Sequence, residues 1–138
     1  MLVRLLSFIL LLTVIQLGQG MAMFLEIAPV EEAVLPHITL GVLTFLLLLG
    51  ATYSSRVSGH PAASDITFAA FLYLVQGAFG LTSMMGEATK LAGVIHLYLS
   101  FFTVAMVAAT VVIAASKTPS TEQRPPATRA VPQPAARI

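Results

Sequence analysis

Leu91 to Val112 reads LAGVIHLYLSFFTVAMVAATVV, an apolar run of bilayer-crossing length broken by a single imidazole, His96. A bilayer core takes roughly 20 apolar residues in a helix, and three more such runs precede this one. The four spans read from sequence are Leu2 to Phe24, Pro29 to Tyr53, Ile66 to Met85 and Ala88 to Ala115. Composition agrees: the chain is 57% hydrophobic and only 9% charged, with a mean hydropathy of +0.91, outside the range of a soluble domain. No strand-length alternation competes, so the expected fold is all-α, a bundle of four transmembrane helices.

The charges orient the bundle. Arg4 lies in the start of the first span, Arg56 between the second and third, and Lys117, Arg124, Arg129 and Arg137 after the fourth, whereas Lys90 alone falls on the other face with Glu26, Glu31, Glu32 and Glu87. The positive-inside rule then places both termini in the cytoplasm of a cell-membrane protein. "MLVRLL" with "GQGMA" also has the form of a secretory signal and cleavage site; cleavage would leave three spans in the same orientation, and the repeat described below favours retention. Residues 1–115 form the four-helix unit. From Ser116 onward five of the eight prolines and scattered basic residues mark residues 116–138 as a disordered cytoplasmic tail. A net charge of +1 gives no sign of nucleic-acid binding, and the absence of cysteine excludes disulfides and thiolate metal sites within the chain.

The first half of the chain repeats in the second. Gln16 and Gly20 of "IQLGQGMAMF" align with Gln76 and Gly80 of "VQGAFGLTSM", giving a Q-x-x-x-G in each odd-numbered span. His37 follows Gln16 by 21 residues and His96 follows Gln76 by 20. Beyond each histidine stand leucine at +3 (Leu40, Leu99), a small residue at +4 (Gly41, Ser100) and threonine at +7 (Thr44, Thr103). The expected architecture is therefore one helical hairpin used twice in the same direction, about an axis along the membrane normal.

That arrangement brings two imidazoles to one depth, roughly 12 Å inside the extracytoplasmic helix starts at 1.5 Å per residue. Positions +4 and +7 share the histidine's face, so each ring looks across a face flattened by Gly41 or Ser100. One membrane histidine is ordinarily interhelical polar glue; two at matching depth supply both axial positions of a haem iron, and small residues admit the planar macrocycle. A bare metal ion is a poorer fit, because two histidines without carboxylate or thiolate leave its coordination incomplete.

Other residues have plainer readings. His60, before a proline in the cytoplasmic loop, reads as a solvated loop histidine. Gln16 and Gln76 fit interhelical hydrogen bonds at least as well as contacts to haem substituents. Gly18, Gly20, Gly77 and Gly80 read as close-packing positions, and Met21, Met23, Met84 and Met85 as gap-filling side chains. Pro36 kinks or re-aims the turn that carries His37.

FLYLVQGAFGLTSMMGEATKLAGVIHLYLSFF (Phe71 to Phe102) resembles the third and fourth helices of a haem A synthase unit, and "LTVIQLGQGMAMF" with "LPHITLGVLTFLLLLGA" is similar to its first and second. Members of that family usually hold eight helices in two such units, each with paired histidines on its second and fourth helices. The resemblance implies that His37 and His96 are axial ligands of a b-type haem near the extracytoplasmic side. It also implies oxidation of the C8 methyl of haem O to the formyl group of haem A, for terminal oxidases, with one haem as cofactor and another as substrate. A single unit would then dimerise or bind both in turn. The family's catalytic unit carries a glutamate three residues before the first histidine; here that residue is Val34. Glu32, at −5, is rotated by roughly 140° and Glu31 by about 120° the other way, so Glu32 becomes the candidate catalytic acid only if Pro36 distorts the turn. The paired extracytoplasmic cysteines of many members are also absent.

Three functions follow, in different classes. The first is a compact oxidoreductase of haem biosynthesis. The second is a bis-histidine b-type cytochrome subunit, passing electrons between quinol and partner subunits of a respiratory complex. The third is a cofactor-free structural or assembly subunit in the lipid bilayer. The first two use the same ligands, so sequence does not separate them.

Overall fold

The computed structural model describes residues 1–85 and 89–116. Within them the chain forms four helices: α1 Leu2–Phe24, α2 Val30–Val57, α3 Ala63–Thr82 and α4 Thr89–Ser116. The first span is as read from sequence. α2 runs on to Val57 rather than Tyr53 and α3 starts at Ala63 rather than Ile66, because a hydropathy boundary marks where a helix leaves lipid, not where it unwinds. Arg56 stays helical in that extension and donates to Thr67 Oγ1 on α3 at 3.0 Å. The tail expectation, beyond Ser116, lies outside the described residues.

The connections are tight, and their hydrogen bonds explain where the helices stop. α1 ends with Glu26 in the left-handed region (φ 57°), and Ile27 N–H reaches back to Ala22 O at 2.8 Å, a Schellman-type closure without its usual glycine. α2 begins after Pro29 in extended conformation, with Glu31 and Glu32 in its first turn, where carboxylates complement the helix dipole. It ends with the same closure built conventionally: Gly59 takes φ 62° and His60 N–H bonds Ser55 O at 2.8 Å. His60 then turns its ring to the next helix, accepting the Ala62 N–H on Nδ1 at 3.1 Å. It is half-buried rather than fully solvated, and remains a loop histidine, with one local bond ahead of α3.

Each helix packs against its two neighbours in a ring, α1 on α2 and α4, α3 on α2 and α4. The diagonal pairs, α1 with α3 and α2 with α4, make no backbone approach among the described residues. Only 11–33% of the most apolar window of each helix is buried, so most of the apolar surface faces outward. All four helices are long and apolar enough to cross a membrane, and lipid is the solvent that such a surface requires. The chain is an integral membrane protein.

The two ends of the bundle differ in packing. Leu6 and Ile9 of α1, Leu48 and Ala51 of α2, Ile66, Ala69 and Ala70 of α3, and Val107 and Ala114 of α4 form one buried cluster. All of them lie toward the end that carries the termini and the α2–α3 loop. The buried threonines, of which Thr13 and Thr103 reach the hollow above the cluster, do not disturb it, because each returns its hydroxyl to the carbonyl four residues back: Thr13 to Ile9 at 2.7 Å, Thr44 to Leu40 at 2.8 Å, Thr103 to Leu99 at 2.7 Å and Thr110 to Met106 at 2.8 Å. The opposite half contributes almost nothing to the cluster, and there the centre of the ring is hollow.

Candidate functional site

The hollow is a cavity of about 690 Å³ walled by all four helices, with His37, His96, Gly41 and Ser100 in its lining. Both histidines stand seven residues past the first residue of their helix, Val30 or Thr89, and so lie about 10 Å down it. They occupy the α2–α4 diagonal, where the backbones do not meet. Their ring centroids are 6.2 Å apart and their planes are inclined at 79°.

The Q-x-x-x-G pattern accounts for how each imidazole seats. A helix carbonyl points along the axis toward the residue four positions on, so a glycine there leaves the carbonyl uncovered. In the second hairpin Gly80 uncovers the carbonyl of Gln76, and His96 Nδ1 bonds that oxygen at 2.6 Å. A carbonyl only accepts, so Nδ1 carries the proton and Nε2 is the nitrogen with a free lone pair. A Cβ on residue 80 would stand 2.8 Å from Cε1 and 2.9 Å from Nδ1 of His96. The Gln76 side chain completes the brace: Ser100 donates to Gln76 Oε1 at 2.8 Å and is itself within 2.8 Å of the His96 carbonyl.

The first hairpin uses the same residues more loosely. His37 lies against Gly20, whose added Cβ would stand 3.3 Å from Cε1 of the ring. Yet His37 Nδ1 is buried without a hydrogen-bond partner. Gly41, at the place of Ser100, has no hydroxyl; the amide nitrogen of Gln16 fills that space, 2.5 Å from where a Cβ would be. Gln16 Oε1 accepts instead from the Tyr73 hydroxyl, a bond across the α1–α3 diagonal. Tyr73 is buried and stacks on Phe45, with centroids 6.2 Å apart and planes 12° apart. Together these three residues floor the cavity above the packed core.

The structure therefore brings four of the five sequence-singled residues to one cavity, His37 and Gly41 from α2 and His96 and Ser100 from α4, and leaves the fifth outside it. Glu32 is exposed in the first turn of α2 and is not part of the lining, nor is Glu31. Val34 is in the lining instead. Pro36 sits inside a continuous α2 without turning Glu32 toward the cavity. Both glutamines bond between helices, the plainer of their two readings. Gly20 and Gly80 receive imidazoles rather than merely packing helices, while Met23 and Met84 line the cavity. Tyr73 is the functional-site residue that sequence reasoning passed over. Its signal was available: a hydroxyl-bearing aromatic three residues before Gln76, on the same helix face, in a run otherwise apolar.

Among the described residues no group of three or more His, Asp or Glu side chains is placed to hold a metal ion. Comparison with family models, with curated proteins and with solved structures found no match.

Proposed function

We propose that this chain is a membrane haem protein in which His37 and His96 are the two axial ligands of one iron. The observation that carries the proposal is the imidazole separation. An imidazole nitrogen sits about 2 Å from a bound metal and about 1.1 Å from its own ring centre, so two rings on opposite faces of one iron have centres about 6.2 Å apart. The centroids here are 6.2 Å apart. Ring inclination does not enter that sum, because each imidazole rotates about its own metal bond.

Three further features support the fit. The cavity volume of about 690 Å³ lies within the roughly 300–1,000 Å³ of small-molecule and cofactor sites. Its lining is apolar apart from a few polar side chains, as a porphyrin requires. A haem also brings four nitrogens of its own, so two protein ligands suffice, whereas a bare ion lacks a third and fourth ligand among the described residues. When bound, the haem supplies the redox-active iron. The chain's own residues do the rest: His96 is held in one tautomer by Gln76, Gly20 and Gly80 let the rings lie against α1 and α3, and the Tyr73–Gln16 floor closes the site toward the packed end. We place the termini in the cytoplasm and the cavity toward the extracytoplasmic side, on the distribution of the basic residues, and read the fold as one hairpin used twice.

For the activity, the resemblance to haem A synthase leads to oxidation of the haem O methyl group to the formyl of haem A. Glu32 is the acidic group to test. One observation favours the second reading, a b-type cytochrome subunit for quinol-linked electron transfer with partner subunits: among the described residues no carboxylate lines the cavity, and Val34 stands at the position of the family's glutamate. Co-expression with a haem O synthase, in a host that makes no haem A, separates the two. A hydroxylated or formyl haem in the extract, reduced strongly by Glu32→Gln with the absorption spectrum intact, supports the synthase. Haem O or haem B alone on a folded, coloured protein leaves the electron-transfer subunit. A colourless protein from a haem-replete host ends both.

A further inference from the structure

We infer that the two axial histidines are unequal: His96 is the fixed ligand and His37 the exchangeable one, so the α2 side of the iron is a binding site for small exogenous ligands such as carbon monoxide or free imidazole. The inference rests on the haem reading above and deepens it.

Three differences between the hairpins carry it. The first is the hydrogen bond behind the ring. His96 Nδ1 donates to the Gln76 carbonyl at 2.6 Å, which fixes the ring's tautomer and orientation and raises the basicity of the nitrogen facing the iron. His37 Nδ1 is buried without a partner, so no hydrogen bond behind the ring fixes its tautomer or orientation. The second difference is the brace one turn further along. Ser100 ties α4 to α3 through Gln76 Oε1 at 2.8 Å; Gly41 makes no such tie, and the facing Gln16 is taken by Tyr73. The third is the backbone before the ring. Pro36 lies inside α2 and lacks the N–H that would bond back to residue 32, whereas Ile95 precedes His96. The turn carrying His37 is therefore short of one backbone bond where the turn carrying His96 has its full set.

A ligand held by its ring, its neighbour and its backbone leaves iron more slowly than one held by none of these. Removing the hydrogen-bonding partner behind a metal-bound histidine typically weakens metal affinity about 10- to 100-fold, which sets the scale of the difference between the two sides. A small neutral ligand would displace the less-held imidazole.

The experiment uses the full chain purified in detergent and titrated with haem, as wild type, His37→Ala and His96→Ala. Wild type is expected to give a six-coordinate low-spin spectrum, and when reduced to convert to a carbon monoxide complex. His37→Ala should keep haem about 10- to 100-fold more tightly than His96→Ala and give a carbon monoxide complex with the wild-type spectrum. Added imidazole should restore the low-spin spectrum of His37→Ala. Equal loss of haem in the two variants, or tighter retention by His96→Ala, overturns the inference while the haem reading stands. So does a wild-type carbon monoxide complex that matches His96→Ala and not His37→Ala. A wild type that takes up no haem overturns both.

Discussion

Gly80→Ala is the substitution for which the geometry makes the sharpest demand. The added methyl would stand 2.8 Å from Cε1, 2.9 Å from Nδ1 and 3.4 Å from Nε2 of His96, while non-bonded heavy atoms rest at about 3.5–4.0 Å. The ring must retreat by roughly 0.6–1 Å to relieve that overlap. The bond it makes to Gln76 is now 2.6 Å long, and a retreat of that size stretches it to the edge of hydrogen bonding. Two penalties result: overpacking of about 1–3 kcal/mol and a buried donor left weakly paired, about 1–3 kcal/mol. Against them stands the helix-propensity gain of alanine over glycine, about 1 kcal/mol. The balance is a loss of about 1–5 kcal/mol in the apo protein, together with about 10- to 100-fold weaker haem binding. Gly77, one turn away on the same helix, has nothing within 4 Å of its added Cβ, so Gly77→Ala should be neutral or slightly stabilising. Gly20→Ala, at 3.3 Å from His37, asks for a shift of a few tenths of an ångström and should fall between the two. Thermal unfolding in detergent and haem titration of the three variants test the order. Gly80→Ala with wild-type affinity, or Gly77→Ala as damaging as Gly80→Ala, would refute the seating of His96 described above.

Tyr73→Phe keeps the stack on Phe45 but leaves Gln16 Oε1 buried without its donor, and should cost about 1–3 kcal/mol in thermal or denaturant unfolding. Combining it with Gln16→Leu should recover much of that loss, because an apolar pair leaves no unpaired group. His60→Ala removes one part-buried bond in the loop before α3 and should lose about 0.5–1.5 kcal/mol of stability, with the haem spectrum unchanged. The cysteine-free chain makes orientation directly readable: in intact cells an impermeant maleimide should label Ile27→Cys, and should reach Ser58→Cys only after permeabilisation. Mass spectrometry of the mature protein should find Leu2 to Phe24 retained; a start near Met21 would remove Gln16 and Gly20 and with them the first hairpin's half of the site.

The elements that sequence reveals best here are those governed by a single strong rule. Four helices were legible because only an uninterrupted hydrogen-bonded segment can lie in lipid, and an apolar run of Leu91 to Val112's length has no other use. His37 and His96 were legible as a pair because matching offsets from Gln16 and Gln76 translate directly into matching depth. What stayed hidden depends on three-dimensional competition for partners. The bond between His60 and the Ala62 N–H, two positions away, stayed hidden because no pattern of spacing announces it. Gly20 and Gly80 read as packing positions because a missing Cβ looks the same from sequence whether helix or imidazole fills the space. Glu32 was placed by angle around an ideal helix, and the angle held: it faces outward, and Pro36 does not bring it round.

Tyr73 explains why two similar hairpins give two dissimilar histidine sites. In the duplicated-hairpin reading, residues near the pseudo-two-fold axis compete for the same space, so a large side chain reaching across it can be used only once. Tyr73 reaches across to Gln16, and its counterpart three residues before Gln16 is Thr13, small enough to turn its hydroxyl back onto Ile9. Engaged by Tyr73, the Gln16 amide lies where a Cβ at residue 41 would be, which leaves glycine as the residue that fits there as the side chains stand. Gly41 in turn has no hydroxyl with which to tie α2 to α1, so the turn carrying His37 goes without the brace that Ser100 gives to His96. A single aromatic on the axis thus sets off a chain of accommodations, from Gln16 to Gly41 to His37, that ends in one held imidazole and one free one. The tyrosine is far from an ornament of the floor: it is the residue whose reach across to Gln16 gives the two halves of a similar sequence different surroundings for their histidines.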